Sequence, residues 1–332
     1  MDSLTQIALG GAIGETVAGE KAGNRAMLWG GVAGLLPDLD LVIRPFYSQS
    51  AYLLAHRGIS HSIVFAVAVA PLLAAAAHRI HRARGVSFRR WWLLAFLALF
   101  THPLLDIMTT YGTGFLEPFS GERLAVGSIN IVDPIYSLPL MGSLVAVAVA
   151  RRRIRARRLV AIALVVSHVY LAATFANMLH VRGLFAQSLA REGVEPTALM
   201  VSPSFFNNIL WSGVAVDERH AWIGQHSLLD ADDRVTLHRI ERNLHLADRA
   251  PREDFENLAR FSKGFFVLDE EAGSVRLHDL RFGYIEPGRY IFSFDFSQPE
   301  KSAFGGSLDD RDLGRFIARV AGDEPPSDST AP

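Results

Sequence analysis

Apolar residues gather in long runs before residue 180 of this chain and in short alternating runs after residue 190. Four runs, at residues 62–77, 91–108, 131–150 and 159–179, are with their flanks long enough to span a bilayer, which takes about 20 helical residues. Two weaker runs precede them, at 4–18 and 26–36. The second is rich in Gly and Ala, and small residues let helices approach closely, so both are expected to pack as shorter helices inside the bundle. A cleavable signal peptide fits the N-terminus poorly, because Asp2 precedes the apolar run, no basic region leads it and Glu15 interrupts it. Alternation at 198–201, 214–216, 235–237, 265–268 and 290–296 predicts strands, while 253–261 and 309–321 predict helices. The expected architecture is a membrane all-α helical bundle at residues 1–190, with four strong spans plus two shorter N-terminal helices. A small α+β extramembrane domain at 191–322 and a disordered tail at 323–332 follow it.

Composition and charge sharpen this picture. Half of the 332 residues are hydrophobic and the formal charge is −1, which suits a membrane protein or a two-domain chain. The near-neutral total hides two arginine clusters, one at Arg79, Arg82, Arg84, Arg89 and Arg90, the other at Arg151, Arg152, Arg153, Arg155, Arg157 and Arg158. By the positive-inside rule both links face the cytoplasm. The loop at 108–130 and everything after the last span then face outward, toward the periplasm or the cell exterior in a bacterium. No broad basic face exists, so nucleic acid is not an expected partner, whereas the lipid bilayer is.

Four polar signatures stand out against the apolar background: Asp38 with Asp40, His56 to His61, His102 with Asp106, and Asp133. Carboxylates and imidazoles are costly beside a hydrocarbon phase, and this mixture is the ligand set of a divalent metal. With no cysteine in the chain, any metal must take His, Asp or Glu. Asp106 lies 16 residues beyond Arg90, and His61 and Asp133 each lie 18 residues before an arginine of the cytoplasmic clusters. Those spacings amount to a helical rise of about 24–27 Å, so the signatures reach one depth at the outer side. His102 and Asp106 share a helix face, and Pro103 between them is expected to kink the helix. Ser60 reads as an N-cap with His61 in the first turn, and Gly58 as the residue that makes the turn between His56 and His61 easy. The predicted metal ligands are Asp38, Asp40, His56, His61, His102 and Asp106, holding a divalent metal, zinc first, as one or two ions. Asp40 and Arg57 are the predicted catalytic residues, Asp40 as a proton acceptor and Arg57 as a guanidinium for a substrate phosphate or carboxylate. Asp133 reads as the cap of its span, and Glu15 either as a further ligand or as a partner of Lys21 or Arg25.

The start Met1-Asp2-Ser3-Leu4-Thr5-Gln6, with Leu36-Pro37-Asp38-Leu39-Asp40, His56-Arg57-Gly58-Ile59-Ser60-His61-Ser62 and His102-Pro103-Leu104-Leu105-Asp106, resembles the YdjM-like family, described as LexA-regulated inner-membrane metal-dependent hydrolases. The resemblance covers roughly residues 1–180. It implies a protein of the bacterial inner membrane with a hydrolytic metal centre, and the loop charges add that the multi-pass chain carries its C-terminal domain on the periplasmic or extracellular side. The family is distantly similar to zinc-dependent phospholipases C and single-strand nucleases, which suggests an ester or phosphoester substrate, a small molecule or a lipid.

Two rival readings stay open at this point. A non-catalytic membrane assembly protein would use the metal as a structural lock, and a metal or ion transporter would need polar groups through the bilayer as well. In the outer domain Phe205, Phe206, Trp211, Trp222, Phe265 and Phe266 read as its core and its contact with the membrane surface. Asp279 with Arg281, or His220 and His226, are further residues that could approach the metal site from that domain.

Overall fold

A computed structural model of the chain describes residues 1–149, 153–301, 303–304 and 310–323. Two compact units result: Met1–Ser48 with Leu54–Phe175, and Gln49–Leu53 with Ala176–Pro332. The division falls inside the longest helix, whereas the change of pattern along the sequence lies near residue 190. Apart from Asp323, the tail at 323–332 lies outside the described residues.

The N-terminal unit is helical. Its elements are α1 (Ser3–Ala22), α2 (Asn24–Leu35) running on into a 3-10 helix at Leu36–Phe46, then the end of α3 (Gln49–Ala55), a 3-10 turn at Ile59–His61, α4 (Ile63–Ile80), α5 (Phe88–Ile107), α6 (Pro134–Val149) and the first part of α7 (Arg153–Arg191). Asp2 caps α1 by accepting from the Thr5 N–H at 3.0 Å. Asp133 caps α6 by accepting from the N–H groups of Ile135 and Tyr136 at 3.0 and 3.2 Å.

Among the described residues three stretches are long and apolar enough to cross a membrane, Asn24–Phe46, Ile63–Ile80 and Arg157–Arg191, against four expected spans. The first combines α2 with the 3-10 helix, a segment the hydrophobic pattern ranked among the weaker ones. Arg89 and Arg90 at the start of α5, and His102, Pro103 and Asp106 near its end, cut its apolar stretch short. Over the described residues α6, Pro134–Val149, is a shorter apolar helix that begins at Pro134, after the cap Asp133.

The close pairing of α1 and α2 has a plain sequence cause. Gly10 and Gly14 on α1 face Ala26, Gly30 and Gly34 on α2, and a Cβ at Gly10 or Gly30 would sit 2.2 or 2.1 Å from the opposing carbonyl oxygen. Backbone therefore meets backbone with no side chain between them, as in small-xxx-small membrane pairs.

The C-terminal unit is an antiparallel α+β structure. One sheet runs β1-β2-β3-β4 (Ala198–Pro203, Leu210–Val216, His220–Ser227, His238–Glu241). After α8 (Arg252–Phe261), β5 (Phe266–Glu271) and β6 (Ser274–Asp279) join β9 (Phe292–Asp295) and β10 (Ala303–Phe304) in order β10-β9-β6-β5. A small pair, β7 (Tyr284–Glu286) and β8 (Arg289–Tyr290), lies between them in sequence, and α9 (Asp310–Val320) comes last. Val214, Val216, Ala221 and Ile223 of the first sheet share one core with Phe265, Val267 and Leu280. The ring of Phe185 on α7 lies over the cross-strand pair Gly213 and Gly224, where a Cβ at Gly213 would meet it at 2.2 Å.

Two expectations here are corrected. Residues 235–237 form no strand, because the Val235 N–H is drawn to Ser188 Oγ on α7 at 3.2 Å, and β4 begins only at His238. The run at 290–296 is split between β8 and β9.

Candidate metal centre

The oily half of the chain brings four of its costly side chains to one point. One ligand atom from each of Asp38, His61, His102 and Asp106 lies within 4.8 Å of the others, and all four residues are buried. His61 Nε2 is 3.1 Å from His102 Nε2, 3.5 Å from Asp38 Oδ1 and 3.3 Å from Asp106 Oδ2. His102 Nε2 is 3.4 Å from Asp38 Oδ1 and 3.5 Å from Asp106 Oδ2. A tetrahedral divalent ion with bonds of about 2.0–2.1 Å spaces its ligand atoms by about 3.3–3.4 Å.

Each ligand is aimed by a second contact, as metal ligands are. His102 Nδ1 faces the Gly34 carbonyl at 2.6 Å, which fixes a proton there and leaves the Nε2 lone pair pointing inward. His61 Nδ1 meets Ser60 Oγ at 2.9 Å, and that hydroxyl donates to Asp40 Oδ2 at 3.0 Å, so His61 also turns a bare Nε2 inward. Ser3 Oγ donates to Asp38 Oδ2 at 2.6 Å. Gln6 Nε2 donates to Asp106 Oδ1 at 3.1 Å, the Met1 amino group contacts the same oxygen, and buried Asp106 Oδ2 accepts no hydrogen bond. Two imidazole lone pairs and two carboxylate oxygens at this spacing repel one another without a cation among them. The cluster fits one four-coordinate divalent ion.

The glycine seam positions these groups. By fixing α2 against α1 it sets the Gly34 carbonyl, and Asp38 follows one turn later in the 3-10 helix, where Pro37 occupies the first turn. Pro103 is accommodated within α5, whose His102 carbonyl accepts from Gln6 Nε2 at 3.1 Å.

Asp40 and His56 stand beside the four and pair with each other, with Asp40 Oδ1 2.8 Å from His56 Nδ1. Asp40 Oδ2 also accepts from the Arg57 N–H at 3.0 Å and lies 3.5 Å from His61 Nδ1, so it braces a ligand from behind. The His56 side chain is 17% exposed, against 6% for Asp38 and none for His61, His102 and Asp106, so it stands on the accessible side. Burial pushes the His56 imidazole below the ordinary histidine value, and the hydrogen bond to Asp40 only partly opposes this.

Arg57 is buried with its guanidinium spread over the Tyr111 ring at 4.7 Å, donating to Thr109 Oγ1 at 3.1 Å and to the Met1 carbonyl at 3.3 Å. Its Nε is 3.4 Å from Asp106 Oδ2. The left-handed residue of the turn is Arg57 itself, at φ 61°, and not Gly58 as the sequence suggests. Gly58 is needed for space instead, since a Cβ there would lie 2.9 Å from the Ala55 carbonyl. The turn is held because the Arg57 carbonyl accepts from the Gly114 N–H at 2.8 Å and Arg123 donates to the carbonyls of Leu54, His56 and Gly112 at 2.7–2.8 Å. Ser62, not Ser60, caps α4, accepting from Phe65 N at 3.1 Å, which frees the Ser60 hydroxyl to link Asp40 with His61.

Other candidates lie elsewhere. Glu15 is buried with Arg157 Nε at 3.8 Å, where Lys21 or Arg25 was expected, and Lys21 donates to the Gly85 carbonyl. Asp133 receives the Tyr170 hydroxyl at 2.9 Å in addition to capping α6. In the C-terminal unit Asp279 and Arg281 bind each other, His220 lies 3.7 Å from Asp217, and His226 lies 3.2 Å from Asp230. Ser3 and Gln6 belong to the start motif without a role that sequence assigns, and Thr109 and Arg123 carry no pattern that marks them. They are found only through the distant ligands they touch.

Fold and site together define a class: a helical membrane protein whose N-terminal unit encloses a buried Asp/His/His/Asp cluster that could hold a metal ion. The YdjM inner membrane protein family matches residues 1–181, more than half of the chain, and the chain belongs to that family. It is 34% identical to the inner membrane protein YbcI of Escherichia coli K12 over 122 residues, which cover 36% of this chain and 69% of YbcI. It is 30% identical to the uncharacterized protein YfhP of Bacillus subtilis 168 over 141 residues, 40% of this chain and 42% of YfhP. The match thus spans less than half of YfhP. No solved structure matches the chain.

Proposed function

We propose that this protein is a membrane-bound metal-dependent hydrolase acting on an ester or phosphoester, with a lipid ester as the first candidate, at the outer face of the inner membrane. The observation that carries the reading is the pairing of Asp40 with His56 on the accessible side of four convergent ligand atoms. The four residues account for one ion, and Asp40 with His56 are left over in the arrangement of a proton-accepting pair. When bound, a divalent metal such as zinc supplies Lewis acidity toward an ester oxygen and makes a water more acidic. Within the chain, Asp40 orients the imidazole through Nδ1, and the neutral ring favoured by burial takes a proton at Nε2. Arg57 braces Asp106 and keeps a positive charge beside the site.

The apolar rim favours a lipid substrate. Leu39 and Leu41 alternate with the buried Asp38 and Asp40 and are about half exposed, and Val42, Phe46 and Ile59 are also exposed. Side chains of this kind suit the boundary between headgroups and hydrocarbon.

Metal analysis of the purified protein, together with hydrolysis assays on liposomes carrying phosphodiester and acyl-ester reporters, tests the proposal. His61→Ala is expected to lose both metal and hydrolysis, and His56→Ala to keep metal while losing at least a hundredfold in rate. A structural lock is the second reading, favoured by the four protein ligands that by themselves complete a tetrahedron. In that case the metal-loaded protein hydrolyses nothing and metal removal unfolds the N-terminal unit. Transport has less support, because the helices that present Asp38 meet backbone to backbone and the cluster has no second counterpart among the described residues.

A further inference from the structure

We propose that the loop joining β1 to β2, residues 204–209, is a membrane-interface anchor of the C-terminal unit, with Phe206 inserted at the headgroup boundary of the leaflet where α7 emerges. The argument begins on α7. Apart from His168, whose Nδ1 meets the Leu164 carbonyl at 2.7 Å, its large outward-facing residues Leu159, Ile162, Val165, Val166, Val169, Phe175 and Leu179 are apolar, whereas the next exposed side chains, His180 and Arg182, are polar. From Arg158 to Leu179 the helix rises about 32 Å, close to the hydrocarbon thickness of about 30 Å, so the change of surface at residues 179–180 marks where the helix leaves the bilayer.

The loop is tied to that level. Asn177 Nδ2 on α7 donates to Asn208 Oδ1 at 2.9 Å, and Asn208 is buried. Asn207 Oδ1 accepts from the N–H groups of Ile209 and Leu210 at 2.9 Å, while its Nδ2 donates to the Phe205 carbonyl at 2.8 Å. Behind the loop, fully buried Trp211 donates its indole N–H to the Asn208 carbonyl at 3.2 Å.

On this fixed base Phe206 is 60% exposed and held at φ 62°, a conformation bulky residues rarely adopt. An aromatic displayed at the depth where a spanning helix ends is the arrangement of an interfacial belt. Of the other aromatics that the sequence grouped with it, Trp211, Trp222, Phe265 and Phe266 are buried and Phe205, beside it in the loop, is half-buried. The occupant is therefore the same bilayer that α7 crosses. The inference rests on that crossing and is independent of hydrolysis.

The test uses the full-length protein, whose lack of cysteine allows single Phe206→Cys, Phe205→Cys and Asp232→Cys variants to carry a nitroxide in lipid nanodiscs. Labels at Phe206 and Phe205 should show a severalfold higher ratio of oxygen to nickel-chelate accessibility than the label at exposed Asp232. Equal ratios at the three positions would overturn the anchor. Labels at both phenylalanines shielded from both reagents would also overturn it, because a protein contact and not lipid would then cover the loop.

Discussion

Each unit of this protein buries charge, and in opposite ways. In the C-terminal unit Asp279 and Arg281 are fully enclosed, yet the guanidinium donates to both carboxylate oxygens at 2.6–3.1 Å and lies against the rings of Phe261 and Phe282. That pair completes itself. In the N-terminal unit two histidines and two aspartates turn their remaining lone pairs toward one point, and Asp106 Oδ2 accepts no hydrogen bond. Burial of charge alone does not identify a site. Convergence of four ligand atoms on one point marks a candidate.

The comparison can be broken in several ways, beginning with the strongest. Asp106→Ala should reduce bound metal from about one ion per chain to almost none, measured by elemental analysis after gentle purification, while the C-terminal unit stays folded. Unchanged metal content in this variant, or none in the wild type, would end the metal-centre reading. Asp279→Ala should do the reverse, destabilising the C-terminal unit by about 3–5 kcal/mol because Arg281 is left as an uncompensated buried charge, with metal content unaltered. A loss below 1 kcal/mol in denaturant titration would show that the pair is not needed there.

Gly30→Val probes the seam. Its side chain would overlap the Gly10 carbonyl, so a loss of about 1–3 kcal/mol is expected, with weaker metal binding although no ligand is touched. Full metal affinity in a folded Gly30→Val protein would uncouple seam from site. Ser3→Ala removes only the hydroxyl that steadies Asp38, and a roughly tenfold loss of metal affinity in competition with a chelator is expected. Tyr170→Phe is the mildest, costing about 1 kcal/mol by removing one hydrogen bond to Asp133, with metal affinity unchanged.

The sequence discloses the centre better than its surroundings. Asp38, His61, His102 and Asp106 were legible because polar residues in apolar runs have few explanations, and arginine spacing put them at one depth. The division of roles among their neighbours is not. Asp40 and His56 belong to the same motifs as the ligands, and only three-dimensional geometry shows that they face each other. The roles of Ser60 and Ser62 are likewise exchanged by a two-residue shift that local propensity cannot resolve.

Long-range pairing hides more of the fold. Residues Gln49–Leu53, set between apolar segments, belong to the C-terminal unit, where Ser50 meets Asp254 and Asn257 of α8. Strand β3 was missed because His220, Gly224, Gln225 and His226 blur its alternation, although it pairs along its length with β2. The first is decided by contacts across most of the chain, which no short window contains, whereas the second pairs with its neighbour in sequence and is hidden only by its polar residues.

The glycine seam between α1 and α2 has one more consequence. In most proteins a binding site inherits the slack of the side chains that support it, since rotamers can shift to absorb a change. Here the distance between the two helices at Gly10, Gly14, Gly30 and Gly34 is set by main-chain atoms, so errors of placement have little room to relax before they reach Asp38 and the carbonyl that orients His102. The seam behaves as a gauge block: it makes the spacing of the centre a property of the backbone, largely indifferent to what lipids or neighbouring side chains do around it.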